Sequence, residues 1–180
     1  ELAAFALTMK ARARQRRFFN KQVKPNICVL EKVSLSREEL DEYMTAVGRD
    51  LFTHGLRETM QQFREADNFG SLIVPKVANV GDVTATLEAK DLSGNLFLAD
   101  THQRVRSVLR MADYLSPRYA VVVANPPYMG GKGMNGRLSA WAKETYPNSK
   151  SDLFAMFIER NLDLAVKGGA VAMITMQSWM

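Results

Sequence analysis

Asn125-Pro126-Pro127-Tyr128 is the part of this chain whose residue types and order can do chemistry. It leaves Tyr119-Ala120-Val121-Val122-Val123-Ala124, an unbroken β-branched run that reads as a central strand of a parallel sheet, buried on both faces. Open α/β sheets bind ligands at the carboxyl ends of their strands. Two prolines there remove two backbone donors and fix φ twice, which stiffens the turn. Its carbonyls are free of a ladder, and Asn125 adds a side-chain carbonyl as acceptor. Tyr128 adds a flat face for stacking. Two aimed acceptors and a stacking face suit an aromatic-bound NH2 group.

An exocyclic adenine amine is a poor nucleophile because its lone pair is delocalised into the ring. Acceptors on both N–H bonds, the Asn125 side chain and the Pro126 carbonyl, would draw the nitrogen towards tetrahedral geometry. The lone pair could then attack the sulfonium methyl of S-adenosylmethionine. That is catalysis by orientation and by hydrogen bonds that strengthen in the transition state. Inside duplex DNA the amine is paired, so the base would have to be flipped out, with Tyr128 as one wall.

The elements that must position this turn follow it. A glycine-rich loop spans 129–137. Ser151 and Asp152 can cap a helix with Phe154, Phe157, Ile158 and Leu162 on its apolar side, ended by Lys167-Gly168-Gly169. Ala170 to Thr175 reads as a second buried strand, which makes a βαβ unit and a parallel sheet. Upstream, Leu2, Phe5, Ala6, Met9 and Ala13 predict an amphipathic helix over 1–18, and Ile27–Leu30 a short buried strand holding Cys28. Ser36-Arg37-Glu38-Glu39 is a capping box, and Gly48 ends its helix. Phe52, Leu56, Met60 and Phe63 predict a helix over 50–66, and Asp67–Gly70 a loop. Ser71 to Val74 is an apolar run stopped by Pro75. Residues 76–95 have weak periodicity and no assigned structure. Val105, Val108, Leu109 and Ala112 predict a helix over 96–114.

Composition bounds the class. The chain has 180 residues, 47% hydrophobic and 24% charged, which excludes disordered and collagen-like chains. There is no apolar run of membrane-spanning length. A single cysteine excludes an internal disulfide framework, and with no signal-peptide pattern the expected location is the cytoplasm. The net charge is +5, and the basic residues concentrate in 1–24, so the rest of the chain is close to neutral. The Arg12–Arg17 run reads as a solvated helix face or a contact for nucleic acid. Gly131 to Gly136 matches G-x-G-x-x-G, but it starts too far from its strand and lacks the acidic partner of a dinucleotide site. It reads instead as a loop closing over DNA, with Lys132 and Arg137 available for phosphate. His54 and His102 have no partners at metal spacing, so no metal is expected. The ten methionines read as core filler, and Trp141 and Trp179 have no assigned role.

The stretch VVANPPYMGGKGMNGRLSAWAKETYPNSKSDLFAMFIER, 122–160, with GGAVAMITMQSWM, 168–180, resembles the PglX family. These are large adenine-specific (N6) DNA methyltransferases of BREX phage-defence systems, related to type IIG restriction–modification enzymes. The opening ELAAFALTMKARARQRRFF is similar to the helix after that family's second motif. The resemblance implies an α/β, Rossmann-like domain that uses S-adenosylmethionine, a parallel sheet flanked by helices with a helical insertion. Asn125, Pro126, Pro127 and Tyr128 would hold the target adenine. Asp152 and Phe154 would shape the cofactor pocket, and either Glu31 or Asp67 would face the cofactor adenine. Double-stranded DNA is the implied partner, with other defence-system proteins. The family's Asp-Pro-x-x-Gly-x-Gly loop and its ribose-binding acid are absent. The expectation is therefore the middle part of one catalytic domain. Residues 35–115 would be a largely helical insertion and 119–180 the catalytic βαβ unit, inactive without the rest. The competing readings are a methyltransferase acting on a protein amide or amine, and a DNA-binding remnant without catalysis.

Overall fold

The computed structural model describes residues 2–48, 54–90, 92 and 94–177. Helix α1 spans Leu2–Arg14 and is followed by a 3-10 turn at Phe18–Lys21. None of its residues is buried, and Leu2, Phe5, Leu7 and Met9 are exposed. The strand expected at Ile27–Leu30 does not form. The segment is extended but joins no ladder, and a strand needs a partner for its backbone groups. Val29 points to solvent, while Cys28 and Leu30 pack partly against the core and the Glu31 amide donates to Met111 Sδ.

Helix α2 (Arg37–Val47) begins at the expected capping box. Ser36 Oγ accepts from Glu39 N at 3.1 Å and the Glu39 carboxylate accepts from Ser36 N at 2.7 Å. Such a cap stabilises a helix by about 1 kcal/mol. Gly48 closes it with φ of 100°. The helix expected over 50–66 is shorter and broken. Helix α3 spans His54–Gln62, a 3-10 turn takes Phe63–Glu65, and a single-turn helix α4 takes Ala66–Phe69 where a loop was expected. Phe52 and Trp179, and the side chain of His54, lie outside what is described. The unassigned stretch contains α5, Val80–Glu88. Helix α6, Leu96–Leu115, forms as its periodicity predicts, capped by Asn95.

Strand β1 is Tyr119–Ala124. After it come α7 (Gly136–Thr145), α8 (Leu153–Leu164) and β2 (Ala165–Met173). The two strands pair in parallel, with Val121 opposite Ala170 and Ala124 opposite Met173. The glycine pair lies inside β2 rather than ending α8. The register slips between Tyr119 and Val121, and Gly168 takes φ of 80° there. Neither strand is buried on both faces. Val122, Ala124, Val171 and Met173 lie on the half-buried face, where Asn161 of α8 donates to Met173 Sδ. Val121 and Val123 are 61% and 75% exposed on the other, which no described element covers, and Leu162 of α8 is also exposed.

The core lies among the helices, not in the sheet. Tyr43, Leu56, Phe63, Ile73, Leu87, Val105, Val108, Leu109, Ala112 and Met156 are fully shielded. A strap, residues 71–77, leaves a 3-10 turn at Gly70–Leu72, runs extended from Ile73 and threads this core, and side chains serve most of its main-chain groups. Arg160 donates from Nε to Ser71 O (3.1 Å) and from Nη2 to Ile73 O (2.9 Å). Tyr146 Oη donates to Leu72 O (2.7 Å), and Gln62 Nε2 to Val74 O (3.0 Å). Thr59 Oγ1 accepts from both Lys76 N and Val77 N at 2.9 Å. The strap runs so close to α3 that a Cβ on Gly55 would lie 2.3 Å from Lys76 O, which only glycine avoids.

Candidate active site at the end of strand β1

The parallel ladder runs to the edge of the motif, where Ile174 N donates to Ala124 O at 3.2 Å. The next residue is Asn125. Pro126 is buried, while Asn125, Pro127 and Tyr128 are exposed. Buried Pro126 anchors the turn and leaves its neighbours facing outward. Among the described residues no hydrogen bond reaches the Asn125 side chain, the Pro126 carbonyl or the Tyr128 hydroxyl. The hydrogen-bonding capacity of the turn is unspent.

The chain leaving Tyr128 is tied to the start of α8. Leu153 N donates to Met129 O (3.0 Å), Gly131 N donates to Ser151 O (2.9 Å), and Gly130 bridges Asp152. Asp152 Oδ1 caps α8 by accepting from Phe154 N at 3.2 Å, and Phe154 is buried. These bonds bring Asp152 and Phe154 beside the motif. Glu31 and Asp67 are not brought there. Glu31 is exposed on the extended segment beside α6, Asp67 is exposed on α4, and neither bonds to the motif or to α8 among the described residues.

Lys132 is exposed in the turn that precedes α7. Arg137 is more constrained. Its Nε donates to Glu65 at 3.1 Å, and its guanidinium lies 5.7 Å over the Phe69 ring. Trp141 stacks on Phe69, with ring centroids 4.1 Å apart and planes 10° from parallel. Asn135 caps α7 through Leu138 N (2.8 Å) and donates to Asn68 Oδ1 (2.9 Å). Trp141, unassigned in the sequence, thus helps dock α7 on residues 65–69. His102 is satisfied, its Nδ1 lying 2.7 Å from the Tyr43 hydroxyl. Among the described residues no group of three or more His, Cys, Asp or Glu side chains could hold a metal ion.

Arg160 is the residue that the apolar pattern hides. It is 3% exposed and also donates from Nη2 to Leu115 O, 2.7 Å away at the carboxyl end of α6. Three carbonyls, one of them at a helix carboxyl terminus, solvate the cation in place of a carboxylate. Burial lowers its pKa, and burial likewise pushes Tyr146 up to about 12. The signal in the sequence is an arginine one turn after Met156 and two turns after Leu153, on the stripe that α8 buries.

The family model of the Eco57I restriction-modification methylases matches residues 1–180. The chain belongs to this family. Among curated relatives, it is 35% identical to "Adenine-specific methyltransferase BrxX" of Escherichia coli O9:H4 (strain HS), an alignment covering 100% of this chain and 17% of the relative. It is 34% identical to "Adenine-specific methyltransferase PglX" of Lacticaseibacillus casei (strain Zhang), covering 100% of this chain and 15% of the relative. The chain therefore spans about a sixth of the length of the relatives it matches. The likeness to PglX carried by residues 122–160 thus extends over the whole chain. In this Eco57I-type methylase chain, a parallel strand pair delivers Asn125–Tyr128 to one end, and α8 holds the outgoing loop in place. No described helix is long and apolar enough to cross a membrane.

Proposed function

We propose that this chain is the middle part of the catalytic domain of an adenine-N6 DNA methyltransferase. On this reading the domain is Rossmann-like, residues 35–115 are a helical insertion, and 119–180 are the catalytic βαβ unit. The cofactor loop and the target-recognition region belong to the remainder of a protein of relatives' length. The observation that carries the reading is the unspent hydrogen-bonding capacity of Asn125 and Pro126 at the carboxyl end of β1, beside the half-exposed Tyr128 ring, in a chain of this family.

The Asn125 side-chain carbonyl and the Pro126 carbonyl accept the two N–H bonds of a flipped adenine amine. Their geometry pulls the amine out of conjugation and aims its lone pair, and the stiff turn means little reorganisation at the moment of reaction. Tyr128 stacks on the flipped base. The Met129–Leu153 and Gly131–Ser151 bonds hold the turn against α8, which fixes the direction in which the amine faces. S-adenosylmethionine, when bound, supplies an electrophilic methyl group. The fit of this chain to it is partial. Asp152 Oδ2 has no hydrogen-bond partner among the described residues and can accept from a cofactor hydroxyl or amine, while Phe154 is buried and its amide holds Oδ1. Glu31 or Asp67 would complete the adenine side.

Replacing Asn125 with Ala in the full-length protein tests the reading. Methyl transfer to adenine in duplex DNA should fall by at least 100-fold. Asn125 is exposed, so melting should change by less than about 0.5 kcal/mol in stability. Retained transfer would remove Asn125 from the reaction.

A further inference from the structure

Two hollows on the helical part of the molecule share a wall. One, about 350 Å³, is lined by Lys32, Ser34, Gln61, Arg64, Glu65 and Arg137. The other, about 540 Å³, shares Gln61 and Arg64 with it and adds Arg37, Arg57 and Asp41. Across the pair, five cationic side chains meet two carboxylates. Both carboxylates are engaged. Asp41 takes Arg57 at 2.8 Å and Arg37 at 3.9 Å, and Glu65 takes Arg137 Nε at 3.1 Å. Lys32 and Arg64 have no carboxylate partner among the described residues. Arg137 spends Nε on Glu65 and rests on Phe69, and no hydrogen bond uses its Nη1 or Nη2 among the described residues.

A concave surface with surplus positive charge concentrates the field on whatever anion enters it. An arginine already braced by a ring and a carboxylate loses little freedom on binding, and its free Nη pair suits phosphate oxygens. A lone anion would need one hollow. Two adjoining hollows with Arg64 between them make a track, which suits a chain of charges. Arg137 opens α7 at the end of the loop 129–135, so the track begins where the loop leaving Tyr128 ends.

We propose that this track binds the phosphodiester backbone of DNA, with Lys32, Arg64 and Arg137 as its contacts. The inference rests on the DNA methyltransferase reading and adds a surface to it, on the far side of the loop from Asn125 in the chain. The contacts are to phosphate, so they position the duplex without reading sequence.

The test is duplex binding by the full-length protein, followed by fluorescence anisotropy from low to moderate salt, with Lys32→Gln/Arg64→Gln against the unsubstituted protein. The double variant should bind about tenfold more weakly at moderate salt, on two unrelated duplex sequences alike. Its slope of log affinity against log salt should be shallower by about two. Lys32→Arg/Arg64→Lys, which keeps the charges, should restore most of the slope and shows that loss of fold is not the cause. Lys90→Gln/Lys143→Gln removes the same charge elsewhere and should leave the slope within about half a unit. An unchanged slope in the Lys32/Arg64 variant, or an equal flattening in the Lys90/Lys143 control, overturns the track. Inorganic phosphate is the second probe. If phosphate raises the melting temperature of the unsubstituted protein but not of the Gln variant, while the DNA slopes agree, the hollow is a free-anion site and the proposal fails. If the unsubstituted protein binds no duplex at low salt, the DNA reading fails with it, whereas loss of the track alone leaves that binding intact.

Discussion

Met129 O accepts the amide of Leu153 at 3.0 Å, which fastens the residue after the Asn-Pro-Pro-Tyr turn to the first residue of α8. The turn is therefore framed on two sides, by the β1–β2 ladder before it and by a helix start after it. Asp152 sits at the joint, as the cap of α8 and the bridge partner of Gly130.

Substitutions at Asp152 separate its two candidate roles. Asp152→Asn keeps a capping oxygen and should leave stability within about 0.5 kcal/mol, whereas Asp152→Ala should cost about 1 kcal/mol through the lost cap. If Asp152 also contacts the cofactor, Asp152→Asn should raise the KM for S-adenosylmethionine several-fold while its melting curve stays in place. Thermal melts and steady-state kinetics on the full-length protein read both effects.

Arg160→Met should destabilise the fold by on the order of 3 kcal/mol, because three buried carbonyls lose their donor at once. Arg160→Lys retains the charge but cannot fork between the strap and α6, and should recover only part of the loss. Urea denaturation with unchanged slope is the measurement.

The Tyr43–His102 pair sets a pH window. Burial, with the charge of Arg106, holds the His102 pKa below 6.5, against which Glu88 works more weakly. The folded state therefore favours neutral imidazole. That contribution is complete above about 6.5 and is lost as pH falls through the lower folded value. Burial raises the Tyr43 and Tyr146 phenols above 10, so theirs is complete below 10 and is lost as pH rises through the folded values, about 12 for Tyr146. Stability should be flat from about pH 7 to 10 for these groups and fall on both sides. His102→Gln should flatten the acid side.

The uncovered sheet face should make a chain of residues 1–180, expressed alone, self-associate. Val121 and Val123 present apolar surface beside an unpaired strand edge. Val123→Lys should shift the sedimentation profile towards monomer while preserving the far-ultraviolet circular dichroism.

Local signals announced α2, α6, β1 and the start of α8. A capping box, a twenty-residue stripe and a β-branched run each carry their own evidence within a few residues. The short turns between Phe63 and Phe69 and helix α5 carry weak local signals, and the larger failures are non-local. Ile27–Leu30 has a strand's composition, but strand formation depends on a partner that composition does not show. The run Val121–Val123 looks doubly buried because apolar content does not say which face has a neighbour. Gly168 and Gly169 have a helix terminator's pattern, yet they serve a register slip that depends on β1. The basic surface was also missed in part. The sequence concentrates its arginines before Lys24, while the cationic hollows are assembled from Lys32, Arg37, Arg57, Arg64 and Arg137, brought together by packing.

The strap at 71–77 has a consequence for how the molecule comes together. Beyond the 3-10 turn that opens it, its carbonyls are served by side chains rather than by a helix or sheet of its own, and the bonds from Arg160 to Ser71 and Ile73 span 89 and 87 residues of chain. The carbonyls of Ser71 and Ile73 gain nothing until that distant donor arrives, so the full ordering of the strap waits on closure of a long loop. The helical stretch and the βαβ unit then cannot fold as separate modules, and grafting one without the other would leave the strap's carbonyls buried and empty. Amide exchange at Val77, whose buried N–H is held by the Thr59 side chain and by no turn of its own, should accordingly report the global opening of the molecule, not a local one.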